Sequence, residues 1–192
     1  MSKKNLFAVA AVAVLLIAAA GLTAQSPDTI YQQARANQGL KIAPVPLALE
    51  GKDPSLIGYG SYLVNAVGGC NDCHTSPSYA TGGDPFKGEK PVVNAAGYLG
   101  GGMKFGPFTS RNLTPEVDNF NRPAGMTFDE FLMTMRTGMD HDNLHPQMGP
   151  LLQVMPWPAY AQMSDYDLRA IYEYLRCIPP VKITPPPATP AQ

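Results

Sequence analysis

The sequence predicts an all-α fold of three main helices separated by long loops, on three observations. Apolar residues recur at helical spacing in three windows, each opened by a capping residue and closed by glycine or proline. Between the first two windows, Thr75 to Gly125 carries turn residues and no helical period. The 192 residues, 45% hydrophobic and 15% charged, have the composition of a globular protein and the length of one domain, or two small ones at most.

The N-terminus reads as an address. Lys3 and Lys4 precede an uncharged, mostly apolar run from Leu6 to Ala20, and small residues follow near Ala24. This is the pattern of a secretory signal peptide over residues 1–24, so the protein is expected to be exported. The run is short of the ~20 residues that a bilayer span needs. Leu22 is bulky for the position three before a cut after Ala24, so an uncleaved N-terminal anchor stays open as the alternative. Residues 25–52 are polar and then Pro-punctuated, without sustained periodicity, and read as a linker or surface arm.

The domain proper is expected over 53–180. Asp53-Pro54 is a helix start, with Asp as N-cap and Pro at the first helical position. Leu56, Tyr59, Leu63 and Val67 fall on one face of that helix, and Gly68-Gly69 ends it. Thr127 to Glu130 is a capping box, followed by Phe128, Phe131, Leu132 and Met135 as a stripe and Gly138 as the stop. Ser164 caps the last helix, Asp165 and Asp167 suit its dipole, and Leu168, Ile171, Tyr172 and Leu175 form its buried face before Pro179-Pro180. The tail, 181–192, is Pro-rich and expected to be extended.

Composition removes several functions. Fourteen basic and fifteen acidic residues give a formal charge of −1 with no block of like charge, which argues against a nucleic-acid binder. Loss of the two leader lysines takes the exported chain from −1 to −3, too little for strong steering of a partner. Three cysteines are too few for a disulfide scaffold.

Cys70-Asn71-Asp72-Cys73-His74 has the C-x-x-C-H spacing of c-type haem attachment. Two thiols about one turn apart each add across one vinyl group of the porphyrin, and the adjacent imidazole reaches the iron from the same side. A large flat apolar cofactor also gives the loop at 75–125 something to bury against, where loops beyond ~12–15 residues are otherwise unusual. A zinc site needs a second ligand pair, and only Cys177, His141 and His145 remain, at no finger spacing. A thioredoxin-like dithiol needs a βαβ context, and no strand pattern flanks the motif. One covalent haem c is the expected cofactor.

With this motif, Gly60 to Val64, Asn112-Leu113-Thr114-Pro115, Met155-Pro156-Trp157-Pro158 and Asp167 to Arg176, the chain resembles class I monohaem cytochromes c from about Asp53 to Pro180. It is most similar to exported cytochrome subunits or domains that accept electrons from membrane-associated dehydrogenases. The resemblance implies a first and last helix that cross through small residues, a role for Gly58 or Gly60 against Tyr172 and Leu175. It implies His74 as proximal ligand and a distal methionine in the loop before the last helix, which here is Met155. Two flanking prolines restrict the backbone at that position. Met148 is the nearest rival and Met103 the next. Met133, Met135 and Met163 read as packing residues. Ligation by His141 or His145, or an open sixth position, stays as an alternative.

Supporting roles divide in the same way. Trp157 meets the ring edge or a propionate, or is core filler; Arg111 pairs with a propionate, or is an exposed arginine. Asn112 fixes the loop, by resemblance, and the Pro77 carbonyl is expected to orient the His74 ring. Cys177 reads as a buried apolar residue, with an intermolecular disulfide as the other reading. The expected function is electron carriage in the periplasm, in a respiratory chain, between a dehydrogenase upstream and an oxidase or second cytochrome downstream, with no substrate bond made or broken by the protein. The alternative is a haem enzyme with an open distal site.

Overall fold

The computed structural model describes residues 26–116, 121–142 and 146–182. The expected signal peptide or anchor, His145 and the tail beyond Lys182 lie outside the described residues. The chain divides into two compact units, Met1–Gln32 and Gln33–Gln192. The described part of the first, residues 26–32, opens helix α1 (Pro27–Ile42), where the Thr29 N–H donates to Ser26 Oγ at 3.3 Å. The second unit carries the rest of α1 and all other elements.

In that unit the described helices are α2 (Pro54–Tyr62), α3 (Cys70–His74), α4 (Phe128–Thr137), α5 (Trp157–Tyr160) and α6 (Asp165–Leu175). Two antiparallel hairpins of two-residue strands interrupt the long loop: β1 (Lys104–Phe105) with β2 (Phe108–Thr109), and β3 (Pro115–Glu116) with β4 (Arg122–Pro123). The fold is therefore mostly helical with minor β structure. Among the described residues no helix is long and apolar enough to cross a membrane.

The capping signals act as expected. Asp53 accepts the Ser55 N–H at 2.9 Å, and both halves of a capping box form at Thr127/Glu130 and at Ser164/Asp167. The stripes of α4 and α6 also hold: Phe131, Met135, Leu168, Ile171, Tyr172 and Leu175 are buried. Met133 does not, because it lies about 200° around the helix from both Phe131 and Met135 and is 58% exposed rather than packed.

Helix α2 differs in phase. It runs into a π-helical turn (Leu63–Val67), and its buried residues are Ile57, Gly58, Gly60, Ser61, Leu63 and Val64; of the expected stripe Leu63 is buried, Leu56 and Tyr59 are half-buried and Val67 is exposed. Glycine sets the buried face. A Cβ on Gly60 would stand 1.9 Å from the Ala170 carbonyl oxygen, so α2 and α6 cross in direct backbone contact. Gly60 thus meets Ala170 and Tyr174, not Tyr172 and Leu175, and Gly58 packs on α1 instead, where its Cβ would lie 2.4 Å from the Ala36 oxygen.

The stretch 25–52 contains α1, a helix its sequence pattern did not disclose. Its buried residues are Ala36 and Gly39, too small to make an apolar stripe, while its larger apolar residues Ile30 and Tyr31 are exposed. It is held by proximity: a Cβ on Gly39 would lie 1.8 Å from the Gly58 oxygen, and Ser61 Oγ donates to the Gly39 carbonyl at 2.7 Å.

Overpacking at a helix crossing costs ~1–3 kcal/mol or more. We therefore expect Gly60→Ala to destabilise the protein by at least that amount in urea unfolding. Gly106→Ala, at φ 61 with open space around it, should lose only the ~1 kcal/mol of left-handed backbone strain.

Candidate cofactor site

Gly69 takes φ 58, which turns the chain out of α2 and its π-helical turn and starts α3. Within that single turn Cys70 and Cys73 fall three apart on one face, and His74 closes it. All three line one cavity of about 500 Å³, and so does Met155. Its walls are otherwise mostly apolar: Leu63 and Val67 after α2, Phe105 and Phe108 from the first hairpin, Phe131 from α4 and Leu175 from α6. Arg111, Asp140 and His141 also reach it. Size and lining are those of a site for a large apolar ligand with a few oriented polar groups.

The His74 ring is fixed by one contact. Its Nδ1–H donates to the Arg111 carbonyl at 2.8 Å, and since a carbonyl only accepts, Nδ1 carries the proton and Nε2 keeps its lone pair. Burial pushes the imidazole below its ordinary pKa, against the opposing effect of the Arg111 carbonyl, so the ring is neutral as a metal ligand must be. The expected partner, Pro77, is engaged elsewhere: its carbonyl accepts from Asn94 Nδ2 at 3.0 Å. Arg111 takes its place because Gly101 lets two backbones meet. The Gly101 N–H donates to the His74 carbonyl at 2.6 Å, and a Cβ there would lie 2.6 Å from the Arg111 carbonyl carbon.

The thiols are protonated. Burial pushes Cys70 up to about 12 and raises Cys73, and the negative charge of Asp72 acts in the same direction. A redox dithiol or a zinc thiolate needs the opposite environment. Among the described residues, no three of His, Cys, Asp and Glu stand together as a metal site. Two neutral thiols a turn apart and a fixed imidazole lone pair, on the wall of an apolar cavity, fit a covalently held haem.

The other candidates separate by position. Met155 is partly buried, packs on the core and lines the cavity, whereas Met148 is 48% exposed and neither it nor Met103 lines it. Met135 and Met163 are on the wall as well as in the packing. Met126 was missed: it is buried on the same wall, with its sulfur accepting from Thr134 Oγ1 at 3.8 Å. His141 lines the cavity and is exposed. Trp157 does not line it; the indole lies over Gly138, where a Cβ would come within 2.2 Å of the ring.

Arg111 is not a free surface arginine. Its guanidinium pairs with Asp140 at 2.5 Å and with Asp142. Asn112 does fix its loop: Oδ1 accepts from the Thr114 N–H at 2.9 Å and from Thr114 Oγ1 at 2.7 Å, while Nδ2 donates to the Val181 carbonyl at 2.9 Å. Cys177 is buried, with its thiol donating to the Glu173 carbonyl at 3.1 Å and accepting from Lys52 Nζ at 3.2 Å.

Behind Cys70 lies a buried polar network that the sequence did not mark. Tyr98 Oη donates to Asn65 Oδ1 at 2.6 Å and lies 2.9 Å from Tyr174 Oη, and Asn65 Nδ2 donates to Tyr174 Oη at 3.2 Å. Burial raises both phenols above their ordinary range, so they stay donors. Tyr160 links α5 to the motif, donating to the Gly68 carbonyl at 3.2 Å.

The chain is similar to known proteins over about two thirds of its length. It is 32% identical over 130 residues to the gluconate 2-dehydrogenase cytochrome c subunit of Pantoea cypripedii, covering 67% of this chain and 24% of that one. It is 27% identical over 122 residues to the cytochrome c subunit of alcohol dehydrogenase (quinone) of Gluconobacter oxydans, covering 64% and 21%. With the corresponding cytochrome c subunit of Gluconacetobacter polyoxogenes it shares 31% over 135 residues, 68% and 26%. The aligned part spans about a quarter of these relatives' length. No family model and no solved structure matches the chain.

Asn112→Ala removes three hydrogen bonds and leaves the buried Thr114 hydroxyl short of a partner. We expect a loss of about 1–3 kcal/mol in chemical denaturation, with Asn112→Asp losing less because it retains the Oδ1 acceptor.

Proposed function

We propose, from this likeness to the cytochrome c subunits of dehydrogenases, that the chain is an exported class I cytochrome c with one covalent haem. It carries single electrons from a dehydrogenase to an oxidase or a second cytochrome. The observation that supports this best is the convergence of Cys70, Cys73, His74 and Met155 on one apolar cavity. A haem held there supplies a one-electron iron couple.

In this reading Cys70 and Cys73 would form the two thioether links, and His74 Nε2 and Met155 Sδ would hold the iron. The Arg111 carbonyl holds the imidazole by its Nδ1–H and makes it a better donor. A thioether opposite histidine favours the reduced metal and raises the potential. The apolar walls exclude water and keep the two oxidation states in nearly the same surroundings. The protein makes and breaks no substrate bond; it sets potential and access. Periplasmic placement rests on the pattern of residues 1–24, and an uncleaved leader would tether the same domain to the membrane.

His141 on the cavity wall supports a second reading, a haem enzyme with an open distal position. Met155 weighs against it, because it packs on the core while His141 is exposed to solvent.

Expression with haem-attachment machinery should give a protein that keeps its haem through denaturation, and Cys70→Ala/Cys73→Ala should lose it. Met155→Ala should abolish the sulfur-to-iron band at the red end of the oxidised spectrum and lower the reduction potential. A colourless wild-type product overturns the reading, and an unchanged band in M155A removes Met155 as the ligand.

A further inference from the structure

We infer that Arg111 is a positioning residue that ties the two walls of the cavity together, holding the proximal histidine with its main chain and the distal loop with its side chain. The inference rests on the haem reading above. It goes beyond it by naming what keeps the sixth position closed.

One end of the tie is the carbonyl that accepts from His74 Nδ1. This carbonyl cannot drift freely, since Gly101 packs on the same peptide and Asn112 anchors the next residue to Thr114 and Val181. The other end is the guanidinium. Two of its nitrogens take two different carboxylates, Asp140 and Asp142, in the segment between α4 and α5. Arg111 and Asp140 are largely buried, at 18% and 13% side-chain exposure, so salt screens that pair less than an ordinary surface pair.

From Asp140 the connection to Met155 is short. The Asp140 N–H donates to the Pro150 carbonyl at 2.7 Å, Met139 pairs with Leu151, and the Leu152 N–H donates to the Gly138 carbonyl at 2.8 Å. The loop is thus closed at its base, and Met155 stands three residues beyond Leu152. Holding Asp140 and Asp142 therefore holds the stretch of chain that presents Met155. A lysine could not do this, because a single ammonium lacks the planar fork that reaches two carboxylates at fixed angles.

The test uses the haem-loaded protein and neutral imidazole as a probe of how readily the distal ligand yields. Arg111→Gln, Arg111→Lys and Asp140→Asn/Asp142→Asn should all bind imidazole on the order of tenfold faster than wild type. The potentials should not move together. Arg111→Gln removes a positive charge and shifts the potential down, Asp140→Asn/Asp142→Asn removes two negative charges and shifts it up, and Arg111→Lys stays nearest wild type. Faster imidazole binding in variants whose potentials move in opposite directions is the signature of a mechanical tie, which a pure charge effect would not give. If Arg111→Gln does not fold, the double asparagine variant carries the same prediction. Wild-type imidazole rates in these variants, in a protein whose Met155→Ala change has removed the sulfur band, overturn the tie and leave the haem reading intact.

Discussion

Close backbone approach, licensed by glycine at a few positions, is the constraint on which the rest of this structure depends. Gly39 against Gly58 and Gly60 against Ala170 bring α1, α2 and α6 nearer than any side chain would allow. That frame fixes one wall of the cavity, because Leu63 and Val67 continue from α2 and Leu175 belongs to α6. Gly101 does the same on a smaller scale, bringing the Arg111 peptide up to His74. Each approach turns a sequence-distant pair into a rigid contact without a large buried area, so a modest core is enough to hold an open cavity.

The long loop is ordered by its own side chains, apart from any cofactor. Tyr98 and Leu99 are fully buried within it, and the Leu99 N–H donates to the buried Thr75 hydroxyl at 2.9 Å. The Tyr98–Asn65–Tyr174 network then joins the loop to α2 and α6, with every hydroxyl and amide group in it paired. A fully satisfied buried network specifies one arrangement where an apolar core would tolerate several. The expectation that this segment condenses on haem alone therefore understates what its own side chains do.

What could be read in the sequence follows from how local each signal is. The capping boxes of α4 and α6 lie within four residues, and their stripes bury large apolar side chains, so both helices were visible. Helix α1 buries Ala36 and Gly39, which leave no periodic trace, and strands of two residues are too short to show alternation. At the site, Cys70, Cys73 and His74 fall within five consecutive residues and announce their chemistry by spacing. Met155, which lines the cavity, was singled out by its prolines and the resemblance together. The His74 partner was not, because it is a main-chain carbonyl, a group every residue carries. Its trace was the run Gly100-Gly101-Gly102, which marked a tight approach without saying to what.

For the proposed electron carrier, the charges around the cavity are arranged to accommodate an electron without large rearrangement. In the proposed reading the groups nearest the iron carry no charge: an imidazole that burial pushes below its ordinary pKa, the Met155 sulfur, and two cysteine sulfurs that become thioethers. The ionised groups Arg111, Asp140 and Asp142 are bound to one another, instead of being free to swing toward a changing charge. Dipoles and ions that are already fixed contribute a constant potential and little reorganisation, the same preorganisation that enzymes use for charged transition states. In the proposed reading, rigid anchoring of the loops and fixed charge on the cavity wall serve one physical end: the walls stay in place while the charge between them changes by one.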